Sequence, residues 1–248
     1  MSAIGIGLIV LVCVFGGSLL GMFLHTILPE HHLSADSKDV IKLGMGLTAT
    51  MSALVLALLT NSAKGSFDTQ RNELTQMAAN IILLDRILAH YGPETKDARD
   101  LLKGTVANMI TRMWPEESSA PLLEPVAAEA FYDKIQSLSP QNEVQRALQG
   151  QALKMSVDIG QARWLLFEQG GRSIPMPFLV LLIFWVTVIF LSFGLFAPRN
   201  ATVIVTLFLC AISVSGAIYL IMELDHPFGG LVQISSASLR SALSQIDK

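Results

Sequence analysis

The sequence predicts an all-α fold: a four-span transmembrane helical protein with a helical cytoplasmic bundle or stalk inserted between spans two and three. Two observations carry this reading. Charged residues make up 15% of the 248-residue chain and the mean hydropathy is +0.52, whereas a soluble domain carries about 25% charge. The apolar residues also gather into four blocks. Each reaches the roughly 20 residues that a helix needs to cross a hydrocarbon core about 30 Å thick. The same composition excludes other classes. Seventeen basic residues against 20 acidic ones give a net charge of −3, so no basic excess exists to neutralise nucleic-acid phosphates.

Span one runs from Ala3 to Leu24 without a charge. No Lys or Arg precedes Lys38, so it lacks the basic region of a cleaved signal peptide and is expected to stay as a helix. Its Gly17-x-x-x-Gly21 permits close helix contact. Cys13 and Cys210 both lie in apolar blocks, where cysteine behaves as a small hydrophobe. They give no disulfide framework and no cysteine-based metal motif. In the loop that follows, Glu30-His31-His32 offers two imidazoles without a fixed third ligand, which makes a poor metal site. No metal and no cofactor are expected.

Span two runs from Leu43 to Ala63 and is the richest of the four in small and polar residues. At about 100° per residue, Gly46, Thr50, Ala53, Ala57, Thr60 and Lys64 share a narrow stripe. Small residues in a stripe let helices pack closely; with hydroxyls and a terminal charge, they also suit the wall of a water path. The other side carries Met51, Leu54, Val55 and Leu58. If that side faces a pore, Leu54 and Leu58 form a hydrophobic constriction that gates by dewetting. Sequence alone does not choose between the two sides. Lys64, repeated around an oligomer, makes a positive ring that favours anions. The competing reading is a lysine snorkelling to the membrane surface at a helix end.

The stretch from Lys64 to Arg172 holds 12 of the 17 basic and 14 of the 20 acidic residues, which marks it as the water-facing region. Leu74, Met77, Ile81, Leu84, Leu88 and Tyr91 fall at steps of 3 and 4, a coiled-coil-like seam, ended by Gly92-Pro93. A second helix fits Thr95 to Trp114, with Leu102, Val106, Met109 and Met113 on one face. A proline-bearing break from Pro115 to Pro125 and a short helix over 127–137 follow. Ser139-Pro140 reads as a cap with proline at the first helical position. The next helix carries Val144, Leu148, Ala152, Met155, Ile159, Ala162 and Leu166 as its seam and stops at Gly170-Gly171. Asp85, Arg86 and His90 read as surface groups of a helix.

Span three runs from Ser173 to Pro198 and span four from Asn200 to Met222, with Arg199 alone between them. The expected organisation is therefore residues 1–63 as spans one and two, 64–172 as the helical cytoplasmic region, 173–222 as spans three and four, and 223–248 as a post-span turn and tail. Basic residues favour the cytoplasmic side. Near the helix ends, five lie with the termini and the middle region against three on the other side, which places both termini inside. After span four, Pro227 cannot continue a helix and the glycines allow a sharp change of direction. Asp225 suits a turn cap, Phe228 suits docking at the membrane surface or against a helix, and His226 is a candidate pH modulator.

The run Met222-Glu223-Leu224-Asp225-His226-Pro227-Phe228-Gly229-Gly230 resembles the bestrophin-like family of bacterial membrane proteins. The stretch from Gly65 to Arg71, Ala78-Ala79-Asn80, Arg172-Ser173-Ile174-Pro175 and Phe193-Gly194-Leu195-Phe196 are similar to the same family. Asp225-His226-Pro227-Phe228-Gly229 also resembles the Asn-Pro-Phe-Gly turn that follows the last span of true bestrophins. Those with calcium clasps continue with an acidic run; Gly230-Leu231-Val232-Gln233 stands here instead, so no clasp is expected. The resemblance implies a homo-oligomeric ion channel, a tetramer or pentamer, passing small inorganic ions through one central pore in the bacterial inner (plasma) membrane and leaning to anions.

Chemistry-bearing motifs are missing. The sequence has no phosphate loop and no nucleophile elbow, and the four blocks contain no Asp, Glu, Lys or Arg, which proton-driven transporters normally need. Neither an enzyme nor an active transporter is expected. A ring-forming scaffold or motor-type stator subunit acting with a partner chain is the alternative, and a cation-selective channel is the other.

Overall fold

A computed structural model describes residues 2–29, 35–114, 127–169 and 174–246. Eight α-helices and no strand occur among them: α1 (Ala3–Ile27), α2 (Ala35–Tyr91), α3 (Lys96–Met113), α4 (Ala127–Gln136), α5 (Glu143–Gln169), α6 (Met176–Phe196), α7 (Ala201–Leu224) and α8 (Ala237–Gln245). They form two compact units. One comprises Met1–Ser66 with Arg172–His226, the other Phe67–Gly171 with Pro227–Lys248. Helix α2 runs unbroken for 57 residues and contributes to both. The Glu30-His31-His32 loop, the break from Pro115 to Pro125 and Gly170-Gly171 lie outside the described residues.

The first unit holds the four apolar helices expected to cross the membrane. Helix α1 is started by Ser2, whose hydroxyl accepts the Gly5 amide at 3.2 Å, and α7 by Asn200, whose side chain accepts the Val203 amide at 2.8 Å. Such caps satisfy amides that the first helical turn leaves without a partner. Helices α1 and α6 touch backbone to backbone. A methyl group at Gly17 would stand 3.0 Å from the Thr187 carbonyl oxygen, one at Gly21 would overlap the Leu191 carbonyl, and one at Gly194 would overlap the Ser18 carbonyl. The Gly17/Gly21 spacing thus does the close packing it permits, and its partner glycine sits on α6. Polar ties close the same layer. The His25 ring nitrogen Nδ1 lies 2.8 Å from the Leu195 carbonyl oxygen, the Arg199 guanidinium donates to the Met22 carbonyl, and the Ser215 hydroxyl donates to the Gly7 carbonyl. Helix α7 extends past Met222 to Leu224, so Glu223, buried at 5% exposure, belongs to the helix rather than to the turn after it.

The second unit is a helical bundle around one core. All six seam residues from Leu74 to Tyr91 are buried in it, as are Leu102, Val106, Ala152 and Leu166. The chain leaves α2 through Gly92 at φ 141, a value that disfavours any side chain. Thr95, fully buried, then donates its hydroxyl to the Leu88 carbonyl at 2.7 Å and so closes the end of α2. Helix α5 departs from expectation. It begins at Glu143, with Asn142 accepting the Gln145 amide at 2.8 Å, so Asn142 and not Ser139 is its cap. Ser139-Pro140 lies in the connection, and Gln149 reaches back to donate to the Ile135 and Leu138 carbonyls at 2.9 Å each. Val144 is 69% exposed and leaves the seam. Its neighbour Gln145 turns inward and donates to the Tyr91 carbonyl at 3.0 Å.

One further expectation is corrected here. Asp85 is no surface group: it is 1% exposed on its side chain and paired with Arg99. The left-handed glycine of the post-span segment is Gly230 (φ 87).

Candidate functional site

Helix α2 is positioned unlike the other three spans. Eleven per cent of its apolar window is buried within the chain, against 33%, 33% and 28% for α1, α6 and α7. Ser52, Leu59 and Ala63 form its buried edge. With 3.6 residues per turn, the six residues from Gly46 to Lys64 centre about 120° to one side of that edge, and Met51, Leu54 and Leu58 roughly 125° to the other. Gly46, Thr50, Ala53, Ala57, Thr60 and Lys64 are all exposed. Leu54 and Leu58 are 61% and 68% exposed. Each candidate stripe is therefore a free face of the single chain, and the buried edge separates them.

The hydroxyls of Thr50, Ser52 and Thr60 are already committed. Thr50 donates to the Gly46 carbonyl at 2.9 Å, Ser52 to the Thr48 carbonyl at 2.8 Å and Thr60 to the Leu56 carbonyl at 2.8 Å. Apolar surroundings favour such bonds to the preceding turn. Each proton is spent on the backbone, so Thr50 and Thr60 turn oxygen lone pairs and methyl groups outward, not donors. The stripe ends at the cation Lys64.

The post-span residues build a different object. Asp225 ends α7, and its own amide donates to the Ile221 carbonyl at 3.2 Å. The cap is made by backbone, while the carboxylate end of the residue is buried. His226 donates its amide to the Glu223 carbonyl at 3.0 Å, and its Nδ1 lies 3.0 Å from the Met222 carbonyl oxygen. A carbonyl only accepts, so Nδ1 carries the proton there. From Pro227 the chain loops back, and the Pro227 carbonyl accepts the Ile234 amide at 2.7 Å. Phe228 stands edge-on to Trp114 with ring centroids 5.6 Å apart. The Trp114 indole donates to the Ile234 carbonyl at 2.8 Å, and Trp114 is 2% exposed. Phe228 thus docks against the end of α3, one of its two expected sites. Gly229 is exposed and fills the bend. Trp114 and Ile234, the anchors of this loop, carried no signal in the sequence because 120 residues separate them.

A family model described as the bestrophin-like domain matches residues 12–239. No curated protein matches the chain. Among solved structures, a single-substitution variant of a bacterial bestrophin homologue from Klebsiella pneumoniae aligns at a TM-score of 0.70 and 15% identity, over 99% of this chain and 97% of that one. A second variant of it aligns at 0.67 and 15% identity, over 96% and 97%. The form solved by zinc phasing aligns at 0.63 and 15% identity, over 93% and 96%.

Proposed function

We propose, because this chain belongs to the bestrophin-like family, that it is a homo-oligomeric ion channel that conducts passively through a central pore lined by α2. One observation carries the reading. The second span leaves nine-tenths of its apolar window uncovered, and one of its free faces is the stripe of Gly46, Thr50, Ala53, Ala57 and Thr60. Small side chains there leave room for water between copies, and the other free face, with Leu54 and Leu58, is left to meet neighbouring subunits. The family supports the inner membrane of a bacterium, and the basic-residue asymmetry supports both termini and the helical bundle in the cytoplasm. The post-span residues Asp225 to Gly229 then act as the turn that ends the last span.

Selectivity is assigned to anions through a ring of Lys64 at the cytoplasmic mouth. A cation-selective channel is the second reading, and the outward lone pairs of Thr50 and Thr60 favour it. The reversal potential of the purified protein in a planar bilayer under a KCl gradient separates the two. A value near the chloride potential, shifted toward the potassium potential in Lys64→Gln, supports the lysine ring. A value near the potassium potential transfers selectivity to the hydroxyl oxygens. Ala57→Trp is expected to remove the current, and a normal current through that variant overturns the pore assignment.

A further inference from the structure

The helical bundle contains a cavity of about 430 Å³ that no part of the channel reading uses. Its floor is apolar, formed by Ile81 of α2 and Leu102, Val106 and Met109 of α3. Pockets of a few hundred Å³ between bundle helices are where small ligands commonly bind. The polar groups at its rim set the ligand's chemistry. Thr105 donates its hydroxyl to the Leu101 carbonyl at 2.8 Å and Ser156 to the Leu153 carbonyl at 2.7 Å. Both protons are spent on the helices' own backbone. The remaining donors at the rim are the Arg163 guanidinium, the Tyr132 phenol and the Trp164 indole. Among the described residues no carboxylate pairs with Arg163.

One anionic group shares the rim, Asp133. It is exposed, whereas Arg163 is half-buried. Water screens the exposed charge more than the half-buried one, so the cavity's field is that of its arginine. We propose that this cavity is a binding site for a small amphiphilic organic anion, with an apolar body on the Ile81–Met109 floor and a carboxylate on Arg163. A guanidinium offers a carboxylate two parallel hydrogen bonds, and Tyr132 adds a third donor. The site stands on the bundle alone and does not depend on the channel reading.

The structure also supplies its own control. Gly160 of α5 lines the cavity, and a Cβ added there meets nothing within 4 Å. Gly160→Leu therefore starts a side chain in open space at the cavity wall and also replaces a poor helix former by a good one. The experiment is calorimetric titration of the full-length protein in lipid nanodiscs with 4-phenylbutyrate, 4-phenylbutylamine and 4-phenylbutanol, with empty nanodiscs subtracted. The carboxylate is expected to bind at least tenfold tighter than the alcohol. Arg163→Gln is expected to weaken it at least tenfold, and Gly160→Leu to remove the heat with a circular-dichroism melt unchanged or raised. Absence of binding by the carboxylate overturns the proposal, as does an amine that binds as tightly or tighter, the result an aromatic and Asp133 cation site would give. An unaffected Arg163→Gln variant, which alters only the rim, overturns it as well.

Discussion

Asp85 and Arg99 meet in a two-point fork, Nε to Oδ1 at 2.7 Å and Nη2 to Oδ2 at 3.0 Å. The carboxylate side chain is 1% exposed and the guanidinium 19%. The fork pins α3 against the second half of α2, next to Leu84, Leu88 and Leu102 of the core. Removing one partner of a buried pair leaves the other charge without compensation, at a cost of about 3–5 kcal/mol. Asp85→Ala is therefore expected to lower the stability of the bundle by about 3 kcal/mol, the low end of that range because Arg99 reaches water. Arg99→Lys keeps the charge and loses the fork, so it is expected to cost less. Chemical denaturation followed by the near-ultraviolet tryptophan signal measures both. Equal stability of Asp85→Ala and the parent would contradict the argument.

The contact between α1 and α6 predicts a sharp contrast between two glycines five residues apart. A Cβ at Gly21 collides with the Leu191 backbone, while one at Gly16 meets nothing within 4 Å. Gly21→Val is expected to prevent recovery of monodisperse protein in detergent. Gly16→Val is expected to behave as the parent. Size-exclusion chromatography after membrane extraction reads the difference.

Trp114 holds the post-span loop through one hydrogen bond and one ring contact. Trp114→Phe keeps an aromatic ring beside Phe228 and leaves the Ile234 carbonyl without its donor, which costs about 1–3 kcal/mol when the acceptor stays buried. The Ile234 amide, bonded to Pro227 inside the same loop, is then expected to exchange its hydrogen faster by about tenfold or more, 1.4 kcal/mol being a factor of ten. Hydrogen-exchange mass spectrometry on peptides covering 227–234 tests this. Unchanged protection would mean that α8 alone retains the loop.

Two titrating groups give the bundle a pH window. The Lys134 ammonium, 2.8 Å away, donates to Asp97 and holds its carboxyl below the usual range. A depressed folded value means stability that is present above the ordinary carboxylate pKa and lost as pH falls through the folded one. Burial, and then the nearby Glu94 charge, push the Tyr91 phenol above its ordinary value of 10.0. That contribution is full below the ordinary value and lost as pH rises through the folded one. Asp97→Asn is expected to flatten the acid side of a melting-temperature profile, slightly because Asp97 is exposed. Tyr91→Phe is expected to flatten the alkaline side and to leave neutral stability unchanged or higher, since the buried phenol oxygen has no hydrogen-bond partner among the described residues. A steeper alkaline loss in Tyr91→Phe would reverse the assignment.

The parts of this fold that were legible in the sequence are those set by periodicity. The run from Leu74 to Tyr91 repeats every three or four residues, and each position is buried, because one helix face must meet one core. The four apolar blocks were legible for the same reason, being local and long. What escaped depends on partners far along the chain. Asp85 reads as a solvated helix charge until α3 folds back and brings Arg99 beside it. Val144 fits the seam by spacing, but the cap at Asn142 turns the first residues of α5 so that Gln145 faces inward. At the candidate site, the stripe from Gly46 to Lys64 followed from arithmetic on one helix. Its hydroxyls' bonds to the backbone and the docking of Phe228 on Trp114 needed coordinates.

The bundle's core is also assembled from two stretches separated by two spans. Leu239, Ala242 and Ile246 of the last stretch pack with residues of α2 and α3, and α6 and α7 intervene in the chain. During synthesis these last residues emerge after both spans. The bundle's final layer therefore closes after those helices have left the ribosome, and a chain stalled during insertion carries Trp114 with its carbonyl acceptor still unmade. Completion of the bundle therefore requires the chain through Ile246.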